Sequence, residues 1–382
     1  MNITKFVTPE IIFGDKSLSQ IGESAARLGA TKLFIVSDEG VIEAGWIDKA
    51  LPFLKEQGLS YEVWHQVTTN PKDYEVEQGR DYYLEVGCDA ILAIGGGSPI
   101  DSAKAVAVLT SNGGRIKDYE GVNKIKKPLP PMVTVPSTAG SGSEVSQFSV
   151  IVDTNRKSKM AMISKSLVPD IAIVDPVLLS TKDSQLTAAT GMDALTHAIE
   201  AYVSVASTPL SDIHALNAIK LIAKNLRESV ASRTNEEAKR AMAMASMQAG
   251  IAFSNAILGL VHAMAHQLGG VLDMAHGEAN AILLPYVMEY NMIASMDKFA
   301  EIALAFDQPF QGRSQRDLAM SAVEAVKELA SDIDIPTNLS RVGLKKDIIE
   351  ELSQEAIKDA CLITNPRDAG VEDIKKLFYR AL

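Results

Sequence analysis

Asp89-Ala90-Ile91-Leu92-Ala93-Ile94-Gly95-Gly96-Gly97-Ser98-Pro99-Ile100 is a short apolar, strand-like run that ends in three glycines and opens into a helical pattern from Ile100. The same unit recurs on its N-terminal side. Residues 31–37 (TKLFIVS) read as a strand, residues 41–57 as a helix closed by Gly58, residues 60–65 as a second strand and residues 74–86 as a second helix. On the C-terminal side a proline-rich loop, residues 127–131, leads to a strand at 132–135, with further strand-like runs at 148–152 and 171–174. Strand and helix in alternation predict a parallel sheet with helices on its faces. After about Leu179 the strand pattern stops. From Ser184 apolar residues recur at three- and four-residue spacing among alanine, leucine and methionine, which predicts helices throughout.

The expected fold is therefore an α/β domain with a parallel, Rossmann-like sheet over residues 1–180 and an all-α domain over residues 181–382, with an active site expected in the cleft between them. A chain of 382 residues, 47% hydrophobic and 22% charged, is long enough for two such cores. Its net charge of −11 repels phosphate backbones and anionic lipid heads, so nucleic acid and membrane surfaces are excluded as expected partners. Two distant cysteines, Cys88 and Cys361, offer no disulfide framework and fit a reducing, cytoplasmic setting. Residues 1–6 carry no charged-then-apolar signal pattern, and Asp101, Lys104, His262 and His266 interrupt the most apolar runs before a membrane span accumulates.

Two groups of residues carry chemistry. Gly95-Gly96-Gly97-Ser98, between a strand and a helix, lets bare backbone approach a ligand and aims helix N-terminal amides at an anion such as a pyrophosphate. Equally, the run can be a tight strand-to-helix turn, and it is not a G-x-G-x-x-G fingerprint. Asp38, after the first strand of the alternating series, stands where a carboxylate can hold ribose hydroxyls, or where it simply caps a helix. The second group is histidine. Asp193 and His197 are spaced i, i+4, as are His262 and His266, and His276 follows beside Gly277. Either pair alone is more often a helix-surface interaction. Together, four of the six histidines and an aspartate fall in otherwise apolar helical stretches, where unpaired polar groups are costly and a metal satisfies them. Imidazole and carboxylate without thiolate suit iron(II), zinc or another first-row divalent ion. No G-x-S-x-G elbow and no Walker lysine pattern is present.

Four motifs in order, residues 95–104 (GGGSPIDSAK), 136–144 (PSTAGSGSE), 191–202 (GMDALTHAIEAY) and 259–270 (GLVHAMAHQLGG) with His276-Gly277, resemble the iron-containing (group III) alcohol dehydrogenases, as do residues 358–361 and 364–367 near the end of the chain. The resemblance implies a dehydroquinate-synthase-like architecture. It implies that Asp193, His197, His262 and His276 bind the metal while His266 acts near substrate and nicotinamide, with Asp193, His262 and His266 central to catalysis. It further implies NAD(H) held by Asp38, Asn70, Gly95, Gly96, Gly97, Ser98, Asp101, Ser137, Thr138, Lys159 and Leu178, with Ser137 and Ser141 standing where many relatives carry threonine. Gln147, Phe148, Phe253 and Cys361 would line the substrate pocket. The expected activity is metal-dependent, NAD(H)-linked interconversion of a small primary alcohol and its aldehyde in a homodimer or higher homo-oligomer. A dehydroquinate-synthase-like lyase shares the architecture but needs more basic residues for a phosphorylated substrate than the helical motifs supply. A non-catalytic metal- and nucleotide-binding regulator is the alternative from another class.

Overall fold

Strand β4 (Ala90–Gly95) is buried at all six positions, and a strand covered on both faces belongs inside a parallel sheet. The computed structural model, which describes residues 5–156, 158–272 and 274–382, places it there. With β1 (Glu10–Phe13), β2 (Lys32–Val36), β3 (Ser60–Trp64), β6 (Met132–Pro136) and β9 (Ile171–Val174) it forms a six-stranded sheet of order β1-β9-β6-β4-β2-β3. Every pairing in it is parallel. Side chains alternate across it as the pleat requires. Phe34, Val36, Ile91 and Ala93 pack with α4 (Asp73–Val86) and α5 (Gly97–Asn112) on one face. Leu33, Ile35, Leu92 and Ile94 pack with α1 (Ile21–Arg27) and α3 (Trp46–Glu56) on the other. Strand order reverses between β2 and β4, so the helices that follow them leave on opposite faces and the carboxyl ends of the two strands form a topological switch point.

Three local expectations differ from the structure. The helix expected over 41–57 is two, α2 (Glu39–Glu43) and α3, because Gly45 adopts φ +73°, a left-handed conformation that stops α2 and starts α3. The helix after the glycines begins at Gly97 rather than Ile100, so Gly95 ends the strand and Gly96 is the N-cap. The run at 148–152 is not in the parallel sheet: β7 (Phe148–Asp153) pairs antiparallel with β8 (Ser158–Ile163), and β5 (Gly121–Val122) joins β8 in a separate three-stranded sheet. The 153–156 turn is built by Asp153 Oδ1, which accepts from the backbone of Asn155 and Arg156 at 2.9 and 3.0 Å.

Nine helices make up the remainder among the described residues: α6 (Ser184–Val203), α7 (Pro209–Ala231), α8 (Glu236–Ala256), α9 (Leu260–Leu272), α10 (His276–Asn291), α11 (Met296–Ala305), α12 (Gln315–Asp332), α13 (Ile349–Ala356) and α14 (Val371–Ala381). The chain thus divides into a compact α/β unit, Val7–Thr181, and a compact helical unit, Lys182–Leu382, to which Phe6 also belongs through its stack on His214. Helix α6 is buried without a break from Gly191 to Val203, which makes it the central rod against which α7, α8 and α10 pack. Its N-terminus is capped by Asp183, which accepts from Leu186 N–H at 2.7 Å. Between α8 and α9 the chain bends by 104° at Ile257, a β-branched residue held at φ +62°. Among the described residues no single helix is long and apolar enough to cross a membrane. Both tryptophans lie in the α/β unit: Trp64 stacks on Phe34, and Trp46 Nε1 donates to Thr181 Oγ1.

Helices α6 and α10 touch backbone to backbone, since a Cβ on Gly277 would lie 2.2 Å from the Ala189 carbonyl oxygen and 3.1 Å from Asp193 Cβ. Gly277→Ala forces the two helices apart and is expected to destabilise the protein by about 1–3 kcal/mol, the usual cost of overpacking. Urea unfolding of the two proteins measures it; equal midpoints would show that the contact is not tight.

Candidate functional site

Position i, i+4 and i+7 on the central helix α6 place Asp193, His197 and Glu200 on one face. Helix α9 brings His262 and His266, and α10 opens with His276. Asp193 Oδ1 is the common centre: His197 Nε2 lies 3.9 Å from it, and His262 Nε2 and His276 Nε2 each lie 4.0 Å away. Asp193, His262 and His276 each offer a ligand atom within 4.8 Å of the other two. A tetrahedral ion with bonds of about 2.1 Å separates its ligands by roughly 3.4 Å, so these three are close enough to share one ion after a modest contraction, with His197 beside them at 3.9 Å from Asp193 Oδ1. The rings are packed against each other, His197 on His262 at 4.7 Å and His262 on His276 at 5.2 Å between centroids. Asp193, His197 and His262 are buried, and their neighbours along the helices are apolar apart from Thr196.

The hydrogen bonds support the fit to a divalent ion. Asn280 Nδ2 donates to Asp193 Oδ1 at 2.7 Å and faces His262 Nε2 at 3.1 Å and His276 Nε2 at 3.3 Å, so the acceptor atoms of all three converge on one point. Its own Oδ1 is buried with no hydrogen-bond partner among the described residues, an orphaned acceptor beside the same cluster. Glu200 lies behind His262, with Oε2 2.6 Å from the ring Nδ1. Burial pushes its carboxyl up to about 7, against the hydrogen bonds it accepts from Gly259 and Val261 N–H. Neither Asn280 nor Glu200 stood out in the sequence, although each carried a signal: Asn280 is i+4 from His276 and Glu200 is i+7 from Asp193.

His262 and His266 face different partners. His266 turns Nδ1 to Asp359 Oδ2 at 2.8 Å, while its ring stacks on that of His276 at 5.3 Å. Burial works against the charge of Asp359, yet His266 and the Cys361 N–H hold its carboxyl far below the ordinary range. Cys361 itself is buried, and burial beside Asp359 pushes its thiol well up. Asp359 was missed because nothing local marks a residue 93 positions from its partner. The remaining histidines lie elsewhere, His65 paired with Glu39 and His214 stacked on Phe6.

In the α/β unit the glycine turn and Asp38 both fall at the switch point. Ser37 Oγ donates to the Ile94 carbonyl at 2.8 Å, which ties the two strand ends together. Asp38 caps α2, its Oδ1 accepting from Val41 N–H at 2.9 Å, so one carboxylate oxygen already has a structural task. Helix α5 has no side-chain cap, because Gly96 supplies none, which leaves the amides of its first turn for another acceptor. The 137–143 loop lies against this turn: Ser137 N–H donates to the Gly95 carbonyl at 2.8 Å, a Cβ on Gly96 would meet Thr138 at 3.3 Å, and one on Gly97 would meet Ser141 at 3.0 Å. Ser137 Oγ is buried with no hydrogen-bond partner among the described residues.

Buried charge fastens that loop. Lys104 Nζ donates to the carbonyls of Ser143, Ser146 and Phe148 at 2.6, 2.7 and 2.9 Å. Burial lowers the lysine to about 8, and it raises Asp101 to about 6 and Glu144 to about 7. Asp101, expected at the cofactor, spends Oδ2 on Val150 N–H at 3.0 Å, and Lys159 on β8 adds a favourable charge beside it. Leu178, expected to line the cofactor, is fully buried in the core on the α3 face of the sheet. Asn70 sits at φ +53° just before α4. The four expected pocket residues fall in both units, Gln147 and Phe148 in the α/β unit and Phe253 and Cys361 in the helical one, where Phe253 stacks on His197 at 4.4 Å.

Comparison with known proteins agrees with both halves. Residues 8–176 match the model of the family described as iron-containing alcohol dehydrogenase, and residues 187–382 match the C-terminal model of the same family. Among curated proteins, 1,3-propanediol dehydrogenase of Citrobacter freundii is 42% identical over 98% of both chains. NAD-dependent methanol dehydrogenase of Bacillus methanolicus is 40% identical over 99% of both. A crystal structure of 1,3-propanediol oxidoreductase, 42% identical, superposes over the full length of both chains with a TM-score of 0.98. Matched along nearly its whole length in sequence and structure, the chain belongs to the iron-containing alcohol dehydrogenase family and is an alcohol dehydrogenase or aldehyde reductase.

Proposed function

We propose that the enzyme uses NAD(H) and a divalent metal, iron(II) in preference to zinc, to interconvert a small primary alcohol and its aldehyde. The observation that carries this reading is the convergence of three imidazole Nε2 atoms within 4.0 Å of Asp193 Oδ1 inside an apolar helical unit. Asp193, His197, His262 and His276 would hold the ion. Gly95 to Ser98, Ser137, Thr138 and Asp38 would hold the dinucleotide, with Asn70, Asp101 and Lys159 around it. Held there, the ion would supply Lewis-acid polarisation of the substrate oxygen, and the nicotinamide would supply hydride chemistry. The chain's own part is orientation and exclusion of water. Phe253 against His197 and the buried faces of α6 and α9 keep solvent from the ligand atoms. His266, its Nδ1 held by Asp359, presents Nε2 to take or return a proton. Two curated relatives named for a diol and for methanol support a small alcohol as substrate. The buried free cysteines support a cytoplasmic setting, and a homo-oligomer is the expected assembly.

Three measurements bear on this reading. His276→Ala should lose the ion by elemental analysis and nearly all NADH oxidation with short aldehydes, and chelation of the unmodified enzyme should do the same; an active, metal-free His276→Ala protein would sink the assignment. His266→Ala should keep its ion and bind NADH while turning over about 10²–10⁴ times more slowly, the size of a general acid–base contribution. A metal-free His266→Ala protein would mean that ligand and relay have been exchanged. Asp38 should oppose the 2′-phosphate of NADP(H), with a repulsion of about 4 kcal/mol at ~4 Å and an effective dielectric of 20, or about 1 kcal/mol in full solvent. Asp38→Ser keeps an oxygen for the α2 cap but removes the charge, so relative NADP(H) use should rise by between several-fold and about a thousand-fold. Equal use of both cofactors by the unmodified enzyme counts against this role.

A further inference from the structure

We propose that Glu200 is the positioning residue that fixes His262 in the tautomer with Nδ1 protonated and the Nε2 lone pair turned toward Asp193, and that it thereby sets the affinity of the metal site. The proposal rests on the metal reading above. Its basis is the hydrogen-bond arrangement on both sides of one ring. Glu200 Oε1 accepts from Val261 N–H at 2.6 Å, and Oε2 accepts from Gly259 N–H at 3.0 Å and faces His262 Nδ1 at 2.6 Å. Both oxygens already accept from backbone donors, which favours the ionised carboxylate, and a carboxylate oxygen facing the ring meets it as an acceptor of Nδ1–H. On the far side of the ring, Asn280 Nδ2 lies 3.1 Å from Nε2. The opposite amide orientation would set Asn280 Oδ1 against Asp193 Oδ1 at 2.7 Å, two acceptors in contact, so the group facing Nε2 is a donor and Nε2 accepts. Both neighbours require the same tautomer, which is the one able to coordinate a metal through Nε2.

Glu200 does this from a rigid seat. It is buried on the central helix, one turn beyond His197, and it reaches the first amides of the helix that carries His262. Replacing it by glutamine cannot reproduce the pattern. If the amide oxygen takes the Oε2 place, the NH₂ group opposes Val261 N–H. In the other orientation NH₂ faces Gly259 N–H and donates to Nδ1, which moves the ring proton to Nε2 and removes the lone pair a metal needs.

The test is Glu200→Gln, read without turnover. Competition for zinc against a chromophoric chelator should show affinity reduced about 10- to 100-fold, the usual effect of losing a residue that orients a ligating histidine. In the metal-free proteins, ¹⁵N ring shifts of His262 should report the Nδ1–H tautomer in the unmodified enzyme and loss or mixing of that state in the variant. Thermal melts of the metal-free proteins separate a purely structural cap: a lower melting temperature with unchanged zinc affinity and ring shifts overturns the proposal. If the unmodified enzyme takes up no ion, the metal reading falls, and the His262 ring shifts still decide the tautomer.

Discussion

A carboxylate left uncompensated inside packed apolar helices costs several kcal/mol, and the helical unit is organised around avoiding that cost at Asp193. Three imidazoles and an amide surround its Oδ1, and the groups behind them are satisfied in turn: His262 by Glu200, and Glu200 by the amides at the start of α9. These partners come from α6, α10 and the start of α9, so the packing of those helices is what brings them together. The close approach of Gly277 to Ala189 belongs to the same constraint, since a wider spacing of α6 and α10 would draw His276 away from Asp193.

The α/β unit solves a related problem with another chemistry. A turn that leaves amides free for an anion cannot also use side chains to hold itself in place, and Gly95, Gly96 and Gly97 have none. Rigidity comes from outside the turn. Lys104, one helical stretch beyond it, spends its ammonium on three carbonyls of the 143–148 segment, with Asp101 and Glu144 supplying counter-charge. Buried charges of both signs thus stiffen a surface that itself carries no side-chain functionality.

Much of this was legible in the sequence, for definable reasons. β2, β4 and β6 declare themselves by apolar, β-branched runs, and α6 and α9 by their three- and four-residue spacing. β8 did not, because only Ile163 of its six residues is β-branched, and Ser158, Lys159, Met160, Ala161 and Met162 have no preference for strand. Gly45 looked like one more helical position until its positive φ divided the helix. At the candidate site the cluster of histidines could be read from spacing, but the distinction between His262 and His266 could not. Both lie on one helix face at i, i+4, and only the distant residues Glu200 and Asp359 give them different surroundings. Ile257 was equally silent. Its strained backbone is held by tertiary contacts such as the bond from Thr364 Oγ1 to the Leu258 carbonyl at 2.5 Å, which no local pattern encodes.

The placement of the two tryptophans has an optical consequence. Trp46 and Trp64 are both buried in the α/β unit, and the helical unit, with every residue of the Asp193 cluster, contains none. Intrinsic indole fluorescence is therefore an emission signal of the sheet and its covering helices alone, whereas far-ultraviolet circular dichroism is weighted toward α6 to α14. Recorded together during denaturation, the two signals resolve whether the units lose structure in one cooperative step or in two, without any label being attached to the chain.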